Sequence, residues 1–377
     1  MKFLWAALVL LAVLVFWLWT PDRQLAELEA RYLAAPGDML EVAGTRLHVR
    51  DSGPKDAPAL IMLHGFGASL HTWEPWAQSL AGDYRVIRFD LPGSGLSPPD
   101  TTGDYTDARS MQIVAALMDR LGVARATLIG NSMGGRIAWT FAATQPARVD
   151  KLVLLSPDGF ASPGFEYDKA PEVPALMSLM RHCLPRFMLK MSLEPAYADK
   201  TVLTDAMTDR YHDLMLAPGG RDAMMQRMAQ VKLVDPVPLL QRITAPTLLV
   251  WGEQDAMIPV ANAADYKAAI ADATVVTLPD VGHLPHEEAP ARALEGVDAL
   301  DRTEIENVVS SRQGLVCYVA QASLEVVAVE TRRFAQDLLL PEPIELGLDE
   351  RTLEQLRNGY GVDGTLADVA AWLHERL

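Results

Sequence analysis

The chain opens on an uninterrupted apolar run. Residues Phe3 to Trp19 (FLWAALVLLAVLVFWLW) number 17 and include no charge and no glycine. As a helix they would extend about 25 Å, the short end of what a bilayer core requires. Lys2 precedes the run, and Trp17 and Trp19 sit where an interfacial aromatic belt would lie. A cleaved signal peptide would show a shorter apolar region and a small-x-small site, and a core helix would keep a polar face. The pattern therefore predicts an uncleaved single-span transmembrane anchor over residues 1–20. The expected location is a bacterial inner membrane with the bulk of the chain exported, although Lys2 on one side is offset by Arg23 and Arg31 on the other.

Beyond the anchor the hydrophobic period changes. Residues 21–38 form a linker with a short amphipathic helix from Asp22 to Ala34, carrying Leu25, Leu28 and Tyr32 on one face. Met39 to Arg50 alternates apolar and polar residues around Gly44, which predicts a hairpin. Short apolar runs then recur at Ala59–Leu63, Arg85–Phe89, Ala126–Ile129, Lys151–Leu155, Thr247–Trp251 and Thr274–Leu278. Helical patterns lie between most of them, at Ala108–Leu121, Met133–Thr144 and Val260–Ala271, with a closing helix at Ala289–Leu300. Strands alternating with helices predict an α/β fold, a mostly parallel central sheet flanked by helices, with the hairpin antiparallel at one edge. This domain spans 39–300.

Two stretches break the rhythm. Residues 157–236 are helical in character and hold nine of the sixteen methionines, which predicts a helical cap inserted between two sheet strands. Residues 301–377 form a C-terminal extension of unknown role and unknown protein partner, with two short strand-like runs (314–320 and 324–330) and an amphipathic pattern at 365–377.

Composition narrows the function classes. Half the residues are apolar and 22% are charged, which is globular composition. A net charge of −16 argues against a nucleic-acid partner. The extension contributes 14 acidic and 7 basic residues, nearly half of that excess. Two cysteines, Cys183 and Cys317, form neither a disulfide framework nor a metal-ligand pattern, so no metal and no cofactor is expected.

The chemistry gathers at strand ends. Gly130-Asn131-Ser132-Met133-Gly134-Gly135 follows the run ATLI and opens a helix, a G-x-S-x-G pattern in strand–turn–helix context. The flanking glycines suit a strained turn that lifts Ser132 above the sheet edge, where a helix N-terminus favours developing negative charge. His64-Gly65-Phe66-Gly67 follows ALIML. That turn can aim backbone N–H groups at an oxyanion, the natural pair being the amides of Phe66 and Met133. His64 itself reads as a turn-stabilising hydrogen bonder.

From Met39 to Leu300 the chain resembles serine hydrolases of the α/β-hydrolase fold, carboxylesterase- and lipase-like. The resemblance rests on HGFG at 64–67, FDLPGSGLS at 89–97, GNSMGG at 130–135, WGEQDAMIP at 251–259 and VGHLPHEE at 281–288, in the family's order. It implies a Ser132, Asp255, His283 triad, with Asp158 the rival acid and His286, expected to be partly exposed, the rival histidine. The elbow also resembles that of meta-cleavage-product C–C hydrolases. Leu284 departs from that subfamily, where Trp usually follows the histidine, and HGFGAS is poorer in Gly and Pro than its oxyanion loop.

The expected function is a membrane-anchored serine hydrolase that cleaves hydrophobic carboxylic esters or lipids through an acyl-enzyme. The alternatives are a C–C hydrolase and a non-catalytic, membrane-tethered interaction protein on a hydrolase scaffold. The cap methionines suit an adaptable apolar pocket or the cap's own core. No obvious basic cluster is present for a phosphate-bearing acyl donor, Arg181 and Arg186 being the candidate cations, so a neutral, hydrophobic ester is the expected substrate.

Overall fold

The computed structural model describes residues 17–161, 167–168 and 177–295, together with Trp5. The chain divides at Leu300/Asp301 into two units, and everything described belongs to the first. Most of the expected anchor, and all the strands and helix expected in 301–377, lie outside the described residues. Among the described residues no helix is long and apolar enough to cross a membrane.

Eight strands form one sheet. They are β1 (Met39–Val42), β2 (Thr45–Ser52), β3 (Ala59–Leu63), β4 (Arg85–Phe89), β5 (Ala126–Asn131), β6 (Val149–Leu155), β7 (Thr247–Gly252) and β8 (Ala273–Leu278), in the order β1-β2-β4-β3-β5-β6-β7-β8. The hairpin β1–β2 turns at Ala43-Gly44, both at positive φ, as a two-residue hairpin loop demands. The pairings β1–β2 and β2–β4 are antiparallel, and the five others are parallel.

Helices cover both faces, so the central strands are apolar throughout rather than alternating. Ile61 and Leu63 of β3, with Leu128, Leu154 and Trp251, pack under α3 (Asp107–Arg120), α4 (Met133–Thr144) and α9 (Asn262–Ala269). Leu60 and Met62, one residue out of phase, pack on the opposite face against Trp73 and against Trp76 of α2 (Glu74–Leu80). A one-residue register slip would exchange these two cores.

Between β6 and β7 lies the helical insertion. Its described helices are α5 (Arg186–Leu193), α6 (Asp205–Met215) and α7 (Gly220–Gln230), followed by the short α8 (Val237–Leu240). Its methionines divide by environment. Met225 is buried, Met215 and Met224 line a cleft, and Met188 and Met191 are exposed.

The linker helix α1 (Leu25–Tyr32) buries Leu28 and Tyr32 against Leu96 and Leu214, while Leu25, expected on the same face, is exposed. The helix is only eight residues long, and its seat on α6 is set by Asp213. That carboxylate accepts from Arg23 at 2.9 Å, Arg31 at 2.5 Å and the Tyr32 hydroxyl at 2.8 Å. Both arginines are about half exposed, so screening trims their share. Replacing Asp213 by Ala is expected to cost about 1–2 kcal/mol. Thermal unfolding measures the loss, and hydrogen exchange should speed up selectively over residues 25–32; unchanged protection there would contradict this role for Asp213.

Candidate active site

Strand β5 ends at Asn131, and Ser132 turns the chain into α4 with φ +52° and ψ −119°. A non-glycine residue holds such a conformation only where its surroundings over-determine it. Here the Ser132 N–H donates to Leu155 O at 3.0 Å, and its carbonyl accepts from Arg136 N at 3.0 Å and Asp158 N at 3.1 Å. The neighbouring glycines are required by contact. A Cβ on Gly130 would stand 2.4 Å from Gly134 O, and one on Gly134 would stand 2.2 Å from Leu63 O.

The turn after β3 abuts this elbow: a Cβ on Gly65 would meet the Asn131 side chain at 2.9 Å and Ser132 Cβ at 3.4 Å. His64 stabilises the turn, as the sequence suggested. It is fully buried, its Nε2 accepts from Leu91 N at 3.0 Å, and its Nδ1 therefore carries the proton and donates to Gly65 O at 2.8 Å. Burial holds its pKa below the ordinary histidine value. Phe66 and Met133 both line an open cleft. Among the described residues neither amide donates a hydrogen bond, as expected for Met133 at the first position of a helix.

His283 lies on the loop after β8. Its N–H donates to Ala196 O at 2.8 Å, and its carbonyl accepts from the Asn131 side chain at 3.1 Å, which ties the loop to the elbow strand. Its Nδ1 is 2.8 Å from Asp255 Oδ2. Asp255 follows β7, and its other oxygen accepts from Met257 N and Ile258 N, each at 2.8 Å. A carboxylate so held accepts the Nδ1 proton and leaves the Nε2 lone pair free for base chemistry. Asp158 goes elsewhere: it takes Arg136 Nη1 at 2.5 Å. Among the described residues no hydrogen bond joins Ser132 to His283, a bond that commonly tightens only with substrate bound.

His286 departs from expectation. It is 1% exposed rather than partly exposed, because it stacks on Trp73 with ring centres 4.1 Å apart. Burial, reinforced by His283 and Arg210, lowers its pKa to about 3. His71 is also buried, and its pKa is lowered to about 4. It belongs to a polar cluster around Asp90, which pairs with His48 Nδ1 at 2.8 Å and accepts from Leu70 N at 2.6 Å and Leu96 N at 2.9 Å. Burial pushes the Asp90 carboxyl up, but His48, His64 and His71 more than offset it and the net direction is down.

Several site groups were not apparent from sequence. Glu287 accepts from the hydroxyls of Tyr197 at 2.9 Å and Tyr211 at 2.7 Å and from Arg210 at 2.6 Å, all from the cap. Burial, with the nearby Glu287 carboxylate, raises both tyrosines and keeps them protonated. Glu288 accepts from Gly282 N and Asp199 N, each at 2.7 Å. Arg227 of α7 lines the cleft and is 5% exposed. Burial lowers its pKa to about 10, so it stays charged at neutral pH. Conversely Arg181 and Arg186 are surface groups paired with Asp222 and with Asp205 and Asp209.

Comparison with known proteins follows the geometry. A family model described as the alpha/beta hydrolase fold matches residues 58–290. The chain is 30% identical over 246 residues to a 2-hydroxy-6-oxo-6-phenylhexa-2,4-dienoate hydrolase of Burkholderia cepacia, across 63% of this chain and 85% of that one. It is 32% identical over 274 residues to the dihydrolipoyllysine-residue acetyltransferase component of an acetoin cleaving system of Cupriavidus necator, across 71% and 69%. The crystal structure of a membrane phospholipase A is similar at TM-score 0.63 and 25% identity, covering 80% of this chain and 98% of that one.

The buried histidines set a pH dependence. The unfolded chain takes up a proton at each near pH 6.5, whereas folded His71 and His286 resist protonation down to about pH 4 and about pH 3. Between those limits the unfolded state binds more protons, so stability rises with pH. Asp90, with its lowered pKa, adds a slope of the same sign at lower pH. Lowering the pH from 7 to 5 is expected to cost about 2 kcal/mol for each of the two histidines. Denaturant unfolding checks this, and His286→Gln should flatten the profile; an equal slope in that variant would refute its contribution.

Proposed function

The chain belongs to the α/β-hydrolase-fold family, and on that premise we propose that it is a serine hydrolase cleaving carboxylic esters with apolar chains. One observation carries the reading: His283, paired with Asp255 at 2.8 Å, sits on a loop hydrogen-bonded to the strand that presents Ser132 in a strained turn. In the proposed mechanism Ser132 Oγ attacks the ester carbonyl while His283 Nε2 takes its proton, and Asp255 stabilises the imidazolium. The amides of Phe66 and Met133 hold the tetrahedral oxyanion. His283 then protonates the departing alcohol, and water activated by the same nitrogen releases the acid. The cleft wall of Met133, Leu214, Met215 and Met224 supports an apolar chain.

A second reading, C–C bond hydrolysis, is favoured by the name of the Burkholderia relative. Leu284 speaks against it, packed with Tyr197 and Leu203 where that subfamily usually places Trp.

We also propose that the run Phe3–Trp19 anchors the protein with the cap close to the membrane. Trp17 stacks with Phe187 at 5.9 Å and Trp19 with His182 at 5.2 Å. Beside them Leu179, Phe187, Met188 and Met191 are exposed, an apolar cap surface that suits a bilayer interface.

Ser132→Ala should lower turnover of p-nitrophenyl hexanoate at least about a thousandfold and abolish fluorophosphonate labelling. Unchanged turnover would overturn the assignment, and wild-type bleaching of a coloured dienoate without ester turnover would favour the second reading. The full chain should stay with membranes through alkaline carbonate extraction and dissolve only in detergent; release by carbonate would contradict the anchor.

A further inference from the structure

Among the described residues, one cation in the cleft has no anion against it. Six arginines of the described residues are buried: Arg85, Arg88, Arg109, Arg136, Arg221 and Arg227. Five are paired with carboxylates, Arg85 with Asp51, Arg88 with Glu74, Arg109 with Asp100, Arg136 with Asp107 and Asp158, and Arg221 with Asp22. Arg227 is the exception. Its Nη2 donates to Pro92 O at 2.9 Å, and its guanidinium lies 5.0 Å from the centre of the Tyr105 ring. Both partners are neutral. Asp107 and Asp100, whose fields reach it, are already in contact with Arg136 and Arg109.

A buried charge is stable only when an opposite charge or a full set of hydrogen bonds replaces its water. Arg227 has part of that set, and it lines the cleft that Phe66 and Met133 share. The rest of the lining mixes apolar Leu214, Met215 and Met224 with Ser69, Ser94 and Tyr211 and carries no other charged side chain, so an anion placed there would find Arg227 as its one counter-charge among the lining residues. A guanidinium also matches the two oxygens of a carboxylate or phosphate.

We propose that the cleft takes a ligand with an anionic head on an apolar chain, and that Arg227 is the counter-ion for that head. The substrate class is thereby an anionic, amphiphilic ester rather than the neutral one expected from sequence. The anion site itself does not depend on ester chemistry; only its distance from the scissile bond rests on Ser132 being the nucleophile.

The test separates binding from turnover. Full-length Ser132→Ala protein in detergent is titrated calorimetrically with butyrate, butyl phosphate and 1-butanol, short enough to stay out of micelles. At least one anion should bind ten-fold or more tightly than the alcohol, and which one does so identifies the head group. Adding Arg227→Met should erase that preference, and Arg227→Lys should keep part of it. Equal binding of all three ligands, or a preference that survives Arg227→Met, overturns the proposal. If the Met variant does not fold, the Lys variant decides: an undiminished preference there is equally fatal. Loss of p-nitrophenyl hexanoate turnover in the wild type with anion binding intact would remove the ester reading and leave this one standing.

Discussion

The site depends on how closely the N-terminus of α4 approaches the end of β3. A methyl group on Gly134 would stand 2.2 Å from Leu63 O and 2.6 Å from His64 O, so the helix can sit there only with glycine at that position. Because it does, the first amide of the helix and the turn carrying Phe66 border the same cleft. The strained Ser132 backbone beside it is held by hydrogen bonds with Leu155 of β6, Asp158 beyond that strand and Arg136 of α4. Strain of this kind persists because the packed sheet beneath it cannot yield locally.

The second element of order is the joint between cap and histidine loop. The two glutamates after His283 both reach into the cap, Glu287 to Tyr197, Arg210 and Tyr211, and Glu288 to the Asp199 amide. Glu288 also takes the N–H of Gly282, and the N–H of His283 itself goes to Ala196 O. The general base proposed here is therefore positioned as much by the cap as by the sheet. Tyr211 both holds Glu287 and lines the cleft, so a ligand in the cleft touches the joint directly. Cap displacement would strip partners from a buried carboxylate, which makes a closed cap the favoured state.

Local pattern made much of this legible. The apolar runs Ala59–Leu63 and Arg85–Phe89 match β3 and β4 residue for residue, and Met133–Thr144 matches α4, because strands buried on both faces and a glycine-marked elbow leave little choice of register. Ser132, Asp255 and His283 were each visible as a residue at a strand end, and the structure brings Asp255 rather than Asp158 to the histidine. What stayed hidden depends on contacts remote in sequence. Glu287 meets Tyr197 from 90 residues away, and Arg227 meets Pro92 from 135 away. Nothing local marks either residue as different from a solvated charge on a helix. The burial of His286 stays hidden for the same reason, since it comes from Trp73 at the end of a distant 3-10 turn. Leu25 failed differently: an eight-residue helix buries only a narrow stripe, and Leu28 and Tyr32 fill it.

The polar and apolar features of the cap are complementary. Its outer surface shows Leu179, Phe187, Met188 and Met191 beside Trp17 and Trp19, whereas its inner surface gives the cleft Met215, Met224 and one buried guanidinium. An apolar outer surface gathers amphiphiles without selecting among them, since burial of a chain is roughly proportional to its area. Selection needs a group that is costly to leave unpaired, and Arg227 is such a group. The outer surface would thus set how much ligand reaches the protein, and the inner cation would set which ligand stays.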